Sequence, residues 1–139
     1  MATLDDAGIL AAIEQRSARA PWSERALAES LPLPGYRAWV AERPSQPVGH
    51  LLATAVAGEG EILTVAVLPE ARRGGVATAL LDAAARWWRE EGVVEAFLEA
   101  RTDNEGALAL YEARGWKRIA VRRRYYGDGT DAVVMRFEP

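Results

Sequence analysis

A glycine-containing loop between two apolar segments is the part of this sequence whose residue types could bind a charged ligand. The short run Val65–Leu68 is typical of a strand, Pro69 ends it, and an alanine- and leucine-rich segment follows the loop Arg72–Gly75. The first turn of a helix presents unpaired N–H groups and a partial positive charge, and glycine lets an anion approach the backbone. The spacing therefore predicts an anion site at the start of a helix.

Two nucleotide-binding patterns share this layout, and both fit poorly. The phosphate loop of the NTPases needs a Lys-Ser/Thr pair after its last glycine, where this chain has Val76 and Ala77. The dinucleotide fingerprint needs three spaced glycines, and only the adjacent Gly74 and Gly75 occur here. For the loop taken alone, an ordinary turn between a strand and a helix remains the alternative.

The composition excludes several other kinds of chemistry. With 139 residues, half of them hydrophobic, the chain fits one domain, 1–139, with a proper core. The absence of cysteine excludes disulfides, thiolate nucleophiles and cysteine-bound metals. The single histidine, His50, leaves little with which to build a zinc site or a Ser-His-Asp triad. No metal is therefore expected.

Charge and hydropathy limit the partners in the same way. A net charge of −3 and a pI near 5.3 argue against a dedicated nucleic-acid binder. No run approaches the ~20 apolar residues of a membrane span, and the N-terminus M-A-T-L-D-D is acidic rather than signal-like. The sequence predicts a cytoplasmic protein that binds neither nucleic acid nor membrane directly, and we expect a monomer.

Two short helices are predicted at the start of the chain. The first begins at Asp5 or Asp6, either of which can cap it, and runs to about Arg16. Its apolar face is predicted to consist of Ile9, Leu10 and Ile13. The second helix has Ser23 as its predicted N-cap and ends near Leu31, and a hydrophobic staple is expected between Trp22 and Leu27.

Three strands should follow these helices and lead to the glycine loop. The alternating segments are Tyr36–Glu42, Val48–Ala57 and Glu61–Val67. Turns containing proline or glycine join them, so an antiparallel meander is expected. His50 lies in the second strand, where we expect a partly buried or surface residue without a ligand role.

The second half of the sequence alternates helices with strands. The predicted elements are a helix Val76–Glu91 with Trp87 and Trp88 in the core, a strand Val93–Ala100, a helix opened by the capping box Thr102–Glu105 and closed by Gly115, and strands Trp116–Tyr126 and Asp131–Phe137. Alternation in the strand Val93–Ala100 assigns one face to Val94, Ala96, Leu98 and Ala100 and the other to Glu95, Phe97 and Glu99. A strand, helix, strand order implies a parallel pair. The predicted fold class is α/β (α+β), a central mixed sheet of about six to seven strands flanked by about four helices.

Two motifs together resemble the GNAT superfamily of N-acetyltransferases. Arg72, Gly75 and Ala77 fit its pattern R-x-x-G-x-G/A behind a V-A-V-x-P strand end, and that motif seats the pyrophosphate of acetyl-coenzyme A. Leu98–Trp116, L-E-A-R-T-D-N-E-G-A-L-A-L-Y-E-A-R-G-W, is similar to the companion motif of the same superfamily. The match covers roughly half of the chain. It implies the GNAT fold and acetyl-coenzyme A as co-substrate.

Segments outside these motifs are similar to a narrower family. E-Q-R at Glu14–Arg16, A-P-W-S-E at Ala20–Glu24 and R-R-x-Y-Y…D-A-V-V-M at Arg122–Met135 resemble the RimI-type ribosomal protein alanine N-acetyltransferases. This resemblance implies acetyl transfer to the N-terminal alanine of a protein. The expected protein substrate and partner is small-subunit ribosomal protein 18.

The resemblance also implies roles for single residues. Glu99 falls on the general base, Tyr111 on the acid that protonates the departing thiolate, and Asn104 on an asparagine that contacts the cofactor. The residues implied along the pantetheine arm are Val65, Ala66 and Val67, and those implied around the pyrophosphate are Arg72, Arg73, Gly74, Gly75, Val76, Ala77 and Thr78. The residues implied in substrate binding are Trp22, Arg124, Tyr125 and Tyr126.

Some features depart from the family or allow other interpretations. Leu68 replaces a commoner polar or acidic residue, Thr64 replaces a common asparagine, and the N-terminus is short for the usual first strand. Taken alone, Glu99 fits a solvated strand carboxylate, Tyr111 a core residue, and Arg122–Arg124 a charged edge. The alternative functions are a small-amine or antibiotic acetyltransferase and a non-catalytic module that responds to acetyl-coenzyme A.

An N-terminal amine suits this set of residues. An α-amino group has a pKa of about 7.7–8.0, so removing its proton at pH 7 costs about 1–1.4 kcal/mol, against roughly 4.6 kcal/mol for a lysine. One carboxylate such as Glu99 is base enough for the first task. Because the chain has no cysteine, direct attack by the amine is favoured over a thiol relay.

Overall fold

Helices and strands follow one another along the chain in the predicted order. The structure is a computed structural model that describes residues 6–18, 21–44 and 46–139. The helices are α1 (Ala7–Ser17), α2 (Glu24–Ser30), α3 (Val76–Glu90) and α4 (Glu105–Ala113). The strands are β1 (Tyr36–Arg43), β2 (Gln46–Val56), β3 (Glu59–Val67), β4 (Glu95–Arg101), β5 (Lys117–Arg122) and β6 (Ala132–Phe137). A 3-10 turn, Pro69–Ala71, lies between β3 and α3.

The strands form one six-stranded sheet in the order β1-β2-β3-β4-β6-β5. Neighbouring strands are antiparallel except β3 and β4, which are parallel and are joined through α3. The predicted mixed α/β fold is therefore confirmed. The meander β1–β2–β3 forms one half of the sheet, and β4–β6–β5 forms the other.

The parallel pair in the middle of the sheet is short. β3 and β4 are in register only where Glu59–Glu61 faces Glu95–Phe97, although each strand continues beyond these residues. Over 62–67, β3 has β2 as its paired neighbour, and over 98–101, β4 has β6. The two halves of the sheet thus separate and leave a gap between β3 and β4, and the glycine loop follows the end of β3 at the open end of this gap.

Alternation along the strands and the apolar face of α3 build the main core. The buried residues of α3 are Leu80, Leu81, Ala84, Ala85, Trp87 and Trp88, which confirms that both tryptophans belong to the core. β4 contributes the buried residues Ala96, Leu98 and Ala100, and the opposite face carries the half-buried Glu95, Phe97 and Glu99. β4 begins at Glu95, two residues later than predicted, so Val94 precedes the strand and is 72% exposed, unlike Ala96, Leu98 and Ala100, with which it was predicted to share a face.

The predicted α1 is right in where it starts and wrong in one residue of its apolar face. Leu10 and Ile13 are buried, but Ile9 is 38% exposed because the buried stripe of α1 continues through Ala11 and Glu14 instead. Asp6 occupies the N-cap position, although its side chain accepts no capping hydrogen bond. The alternative cap, Asp5, lies within residues 1–5, outside the described ranges. The N-terminus that is predicted to be short for the usual first strand lies there too.

At the starts of α2 and α4, a polar side chain accepts a hydrogen bond from a free backbone N–H group of the first turn. Ser23 caps α2 as predicted, since its Oγ accepts a hydrogen bond from the Ala26 N–H at 3.1 Å. α4 is capped by Asn104, whose Oδ1 accepts from the Ala107 N–H at 3.2 Å. The predicted box starting at Thr102 is therefore wrong by two positions. The Thr102 hydroxyl donates instead to the carbonyl of Asp131, at the start of β6.

Gly60 provides a test of this packing, because it lies directly against the indole of Trp88. A Cβ at position 60 would lie 2.6 Å from Trp88 Nε1. Trp88 is 1% exposed and its Nε1 donates to the Thr54 carbonyl at 2.9 Å, so the ring has no room to move. Gly60→Ala should therefore lower the free energy of unfolding by about 1–3 kcal/mol in urea denaturation.

The matched control is Gly106→Ala in α4, where no atom lies within 4 Å of the added Cβ. This change should raise the free energy of unfolding by about 0.5–1 kcal/mol, because alanine restricts the unfolded chain more than glycine does. A Gly60→Ala variant as stable as the wild type would contradict the close packing of Trp88.

Candidate active site

The loop after β3 has the backbone geometry of an anion site. Arg73 and Gly75 have φ angles of 64° and 81°, and Gly75 is the N-cap of α3. Apart from its two chain neighbours, no atom of the described residues lies within 4 Å of the position that a Cβ on Gly75 would occupy, so the approach to the loop is open among these residues. The first N–H groups of α3 have no partner within the helix. These features are the ones that the sequence predicts for Arg72–Thr78.

Arginine side chains surround this loop in two different ways. The Arg72 guanidinium donates to the carbonyls of Val67 and Ser17, both at 3.2 Å, and so fastens the loop to β3 and to the end of α1. The guanidinium of Arg43, from the end of β1, lies directly beside Gly74. Arg43 was not predicted at the site, because it comes from the hairpin between β1 and β2, far away in the sequence.

Glu99 lies on β4, on the other side of the gap from β3. Its carboxylate is 22% exposed and lies 3.4 Å from Arg122 Nε. Because Arg122 is 59% exposed, this ion pair adds little stability and leaves the carboxylate accessible. A hydrogen bond to Glu99 raises the pKa of the Tyr125 hydroxyl. Glu99 therefore has oriented neighbours, unlike a freely solvated strand carboxylate.

Glu61 on β3 is a second carboxylate at this position, and the sequence analysis did not single it out. Its register partner is Phe97, so Glu61 and Glu99 project from the same face of the sheet. Burial and the charges of Glu99 and Glu59 raise the pKa of Glu61, and Arg122 partly offsets this rise. The strand pattern alone gives no signal for Glu61, because its importance depends on which strand lies next to β3.

Tyr111 lies on α4 and is almost fully buried, with 8% exposure. Burial raises the pKa of Tyr111 to about 12, with a smaller contribution from Tyr126. The hydroxyl is therefore protonated at neutral pH and can donate a hydrogen bond. Asn104 caps the same helix through its Oδ1, which leaves its amide N–H groups for a ligand.

The two tyrosines after β5 are each contacted by an arginine: Arg101 lies over the Tyr126 ring and Arg122 over the Tyr125 ring. β5 ends at Arg122, four residues earlier than predicted, so Tyr125 and Tyr126 lie in the loop before β6. Arg101 forms hydrogen bonds with Asp103, Asp128 and Thr130, and its guanidinium lies 4.9 Å from the centre of the Tyr126 ring. The structure thus brings Tyr125 and Tyr126 next to Glu99 and Tyr111.

The other two residues predicted to bind substrate are placed differently. The backbone N–H of Arg124 donates to Asp131 at 2.9 Å, and the residue is exposed. Trp22 lies in the connection between α1 and α2 and packs on the cluster that contains Leu27. In the described part of the chain, no hydrogen bond, ion pair or ring contact joins Trp22 to Tyr125 or Tyr126. Trp22 belongs instead to a separate surface formed by α1 and α2, which we call the α1–α2 wall.

Behind that wall, Glu14 and His50 form a buried pair. Both side chains have 0% exposure, and His50 Nε2 lies 2.7 Å from Glu14 Oε2. The same carboxylate accepts hydrogen bonds from the Thr64 hydroxyl at 3.0 Å and from the Trp22 N–H at 2.9 Å. The prediction of a partly buried or surface His50 is wrong, because the sequence pattern does not show that Glu14 of α1 lies against β2.

An open strand edge that leads to a glycine loop, with a carboxylate across the gap, is suited to group transfer from a long phosphate-containing donor. The sequence family agrees with this geometry. The chain belongs to the acetyltransferase (GNAT) family, whose model matches residues 9–116.

Bacterial relatives resemble most of the chain. The [ribosomal protein bS18]-alanine N-acetyltransferase of Escherichia coli K12 is 32% identical over 126 residues, which are 88% of this chain and 84% of that protein. The crystal structure of the ribosomal-protein-S18-alanine N-acetyltransferase from Escherichia coli has a TM-score of 0.89 and 31% identity, and covers 96% of this chain and 88% of its own.

Archaeal proteins show a similar relationship. The N-alpha-acetyltransferase of Saccharolobus solfataricus is 41% identical over 78 residues, 55% of this chain. The match spans about half of that relative, 47% of its length. The crystal structure of Ard1 from Thermoplasma volcanium has a TM-score of 0.88 and 27% identity, and covers 99% of this chain and 93% of its own.

Residues 6–18, 21–44 and 46–139 contain neither a membrane-spanning helix nor a cluster of metal-binding side chains. No helix in these ranges is long and apolar enough to cross a membrane. The same ranges contain no group of three or more His, Cys, Asp and Glu side chains that could hold a metal ion.

The buried pair predicts a specific dependence of stability on pH. Burial alone would raise the pKa of Glu14, but hydrogen bonds from His50, Trp22 and Thr64 outweigh it and hold this pKa below its usual value. The stability that Glu14 contributes is therefore present above the unfolded-state pKa of about 4.3. It should be lost as the pH falls through the lower pKa of the folded protein.

Urea denaturation of the wild type and of Glu14→Gln between pH 7 and pH 3 measures this loss. The difference in unfolding free energy between the two proteins should shrink as the pH falls, because glutamine does not titrate. A difference that stays constant or grows toward low pH would show that the folded state does not favour the charged carboxylate.

Proposed function

We propose that this protein transfers an acetyl group from acetyl-coenzyme A to the N-terminal alanine of a protein, by direct attack of the amine. The observation that carries the proposal is the position of Glu99, a half-buried carboxylate across the gap from the free edge of β3 and the glycine loop. The identity to bacterial alanine N-acetyltransferases over most of the chain supports the substrate class.

The residues on the β3 side fit an acetyl-coenzyme A molecule. The unpaired N–H groups at the start of α3 suit the pyrophosphate, and Arg43 and Arg73 add positive charge beside the loop. Along the gap, Val65–Val67 present a strand edge without a partner from β4, which suits the amide groups of the pantetheine arm. Bound acetyl-coenzyme A supplies the activated thioester, and Asn104 is the proposed side-chain contact.

The residues on the β4 side fit the amine. Glu99 accepts the proton as the N-terminal amine attacks, a transfer that costs little because an α-amino group has a pKa near neutral. Burial is the main cause of the raised pKa of Glu61, and the charge of Glu99 adds to it. An ammonium group that binds beside the two carboxylates would reduce the repulsion between them. Tyr125 and Arg122 orient the Glu99 carboxylate.

The departing sulfur requires a donor. Tyr111 is the candidate, because its raised pKa keeps the hydroxyl protonated and a single hydrogen bond to developing negative charge is worth several kcal/mol in a dry site. No cysteine is present to carry the acetyl group, which favours direct attack of the amine on the thioester over transfer through a thiol-bound acetyl-enzyme.

The peptide substrate is proposed to lie between two walls. Trp22 and its neighbours in the α1–α2 connection form one wall, and the loop with Arg124, Tyr125 and Tyr126 forms the other. We propose small-subunit ribosomal protein 18 as the protein substrate, on the basis of the Escherichia coli relative. The reaction would then take place in the cytoplasm, where ribosomal proteins are made, with the enzyme acting as a monomer.

The first test is thiol release from acetyl-coenzyme A in the presence of a short peptide that begins with alanine and contains an internal lysine. Mass spectrometry should place the acetyl group on the α-amine alone. Glu99→Gln should lower kcat by about 10²–10⁴-fold, because the general base is lost, while acetyl-coenzyme A still binds. Tyr111→Phe should also lower kcat with cofactor binding preserved.

Other outcomes distinguish the rival functions. Turnover with polyamines or aminoglycosides but not with the peptide would indicate a small-molecule acetyltransferase. Binding of acetyl-coenzyme A without turnover, and no effect of Glu99→Gln or Tyr111→Phe, would indicate a binding module.

A second test addresses the cofactor site with a matched pair of glycines. Gly75 and Gly58 have φ angles of 81° and 80°, and neither has an atom within 4 Å of an added Cβ. Valine at either position strains the backbone by a similar amount, of order 1–2 kcal/mol. Only Gly75→Val should abolish acetyl-coenzyme A binding in calorimetry, because its side chain fills the approach to the loop. Equal affinity of both variants would contradict the cofactor site.

A further inference from the structure

A buried carboxylate in this fold takes no part in the acetyl transfer described above. Glu14 is fully buried and accepts hydrogen bonds from three donors in three different elements. The His50 ring comes from β2, the Thr64 hydroxyl from β3, and the Trp22 N–H from the connection between α1 and α2. One carboxylate therefore joins α1, the sheet and the wall that carries Trp22.

This arrangement costs more than packing alone would require. Taking a charge out of water costs several kcal/mol, and an apolar group of similar size often gives equal or greater stability. In addition, no residue among 6–18, 21–44 and 46–139 forms a hydrogen bond with the buried Nδ1 of His50, and an unpaired buried nitrogen is a further cost. The hydrogen bonds to Glu14 offset the cost of burying its charge. An apolar side chain could also fill this position, but it could not fix the three joined elements relative to one another through directed hydrogen bonds.

The three donors differ in how firmly they are held. His50 and Thr64 lie in the paired region of β2 and β3, where His50 is in register with Ala66 and Leu52 with Thr64. Trp22 lies outside both helices, and its backbone N–H is bound by Glu14. The sheet is therefore the fixed support, and the Trp22 segment is the part whose position depends on Glu14.

The segment that Glu14 holds carries Trp22, which belongs to the proposed peptide wall. Thr64 immediately precedes Val65–Val67, the proposed cofactor strand, and Trp22 belongs to the proposed peptide wall. A carboxylate bound to both sets the distance between them. Glu14 thus connects the proposed cofactor strand with the proposed peptide wall.

We propose that Glu14 is a positioning residue for the peptide substrate, which acts through the backbone of Trp22. The proposal rests on the proposed function, since it takes Trp22 as part of the peptide wall. His50 and Thr64 hold the Glu14 carboxylate against the sheet, and the second carboxylate oxygen holds the Trp22 segment at a fixed place beside β3.

Steady-state kinetics of Glu14→Gln tests this role. The KM for the alanine peptide should rise about tenfold, the effect of weakening one hydrogen bond to a charged group. The kcat at saturating peptide and the Kd for acetyl-coenzyme A should be unchanged, because Glu99, Tyr111 and the glycine loop are not altered. An unchanged peptide KM would overturn the proposal.

The double variant of Glu14→Gln and Trp22→Ala separates positioning from a general loss of stability. If Glu14 acts through Trp22, Glu14→Gln should change the peptide KM by less than about twofold in the Trp22→Ala background. The same tenfold rise in both backgrounds would mean that Glu14 acts by another route.

Milder variants guard against a Glu14→Gln protein that fails to fold. Thr64→Val removes one of the three donors with little change in shape and should raise the peptide KM in the same direction, and Thr64→Ser should restore it. Ile62→Val is the matched control, because Ile62 is a buried residue of β3 in a different core cluster. A similar rise in KM with Ile62→Val would show that loosening of the core alone accounts for the effect.

Hydrogen exchange of the Trp22 backbone amide gives a readout that does not depend on activity. In Glu14→Gln or Thr64→Val this amide should exchange faster than in the wild type, while the amides of Leu51 and Leu52 keep their rates. If the wild type does not acetylate the peptide, the proposed function fails, and the exchange rate alone decides the positioning role. Unchanged exchange at Trp22 would then overturn it.

Discussion

The separation of β3 from β4 is the constraint on which the rest of this structure depends. In a regular sheet the N–H and C=O groups of Val65–Val67 would be paired with the next strand, and no ligand could reach them. Because the parallel pairing ends after Glu61 and Phe97, an edge is exposed in the middle of the sheet. The glycine loop, the carboxylates and the tyrosines are all arranged around that opening.

The two sides of the opening have different electrostatic character. The β3 side ends in a helix N-terminus with Arg43 and Arg73 nearby, and therefore favours anions. The β4 side carries Glu99, with Glu61 close to it, and therefore favours a cation. In the proposed reaction, the anionic donor would bind on the β3 side and the amine acceptor on the β4 side, so that each would meet charge of the opposite sign.

Much of the fold and part of the site could be predicted from the sequence, because local patterns specify them. The apolar face of α3, the alternation in β4 and the strand, loop and helix order around Gly75 depend on residues that are close in the chain. Arg43, Glu61 and Arg101 were not singled out, because each acts through a partner brought near by strand order. The pair of Glu14 and His50 needs contact between α1 and β2, which no local pattern encodes.

Arg72 links the glycine loop to α1 through the carbonyl of Ser17, three residues after Glu14 in the same helix. The loop and α1 are therefore joined by a direct hydrogen bond, although they are more than fifty residues apart in the chain. Thermodynamic linkage makes any such connection reciprocal. If a ligand in the loop strengthens binding at the wall formed by α1 and α2, a ligand at that wall strengthens binding in the loop by the same free energy.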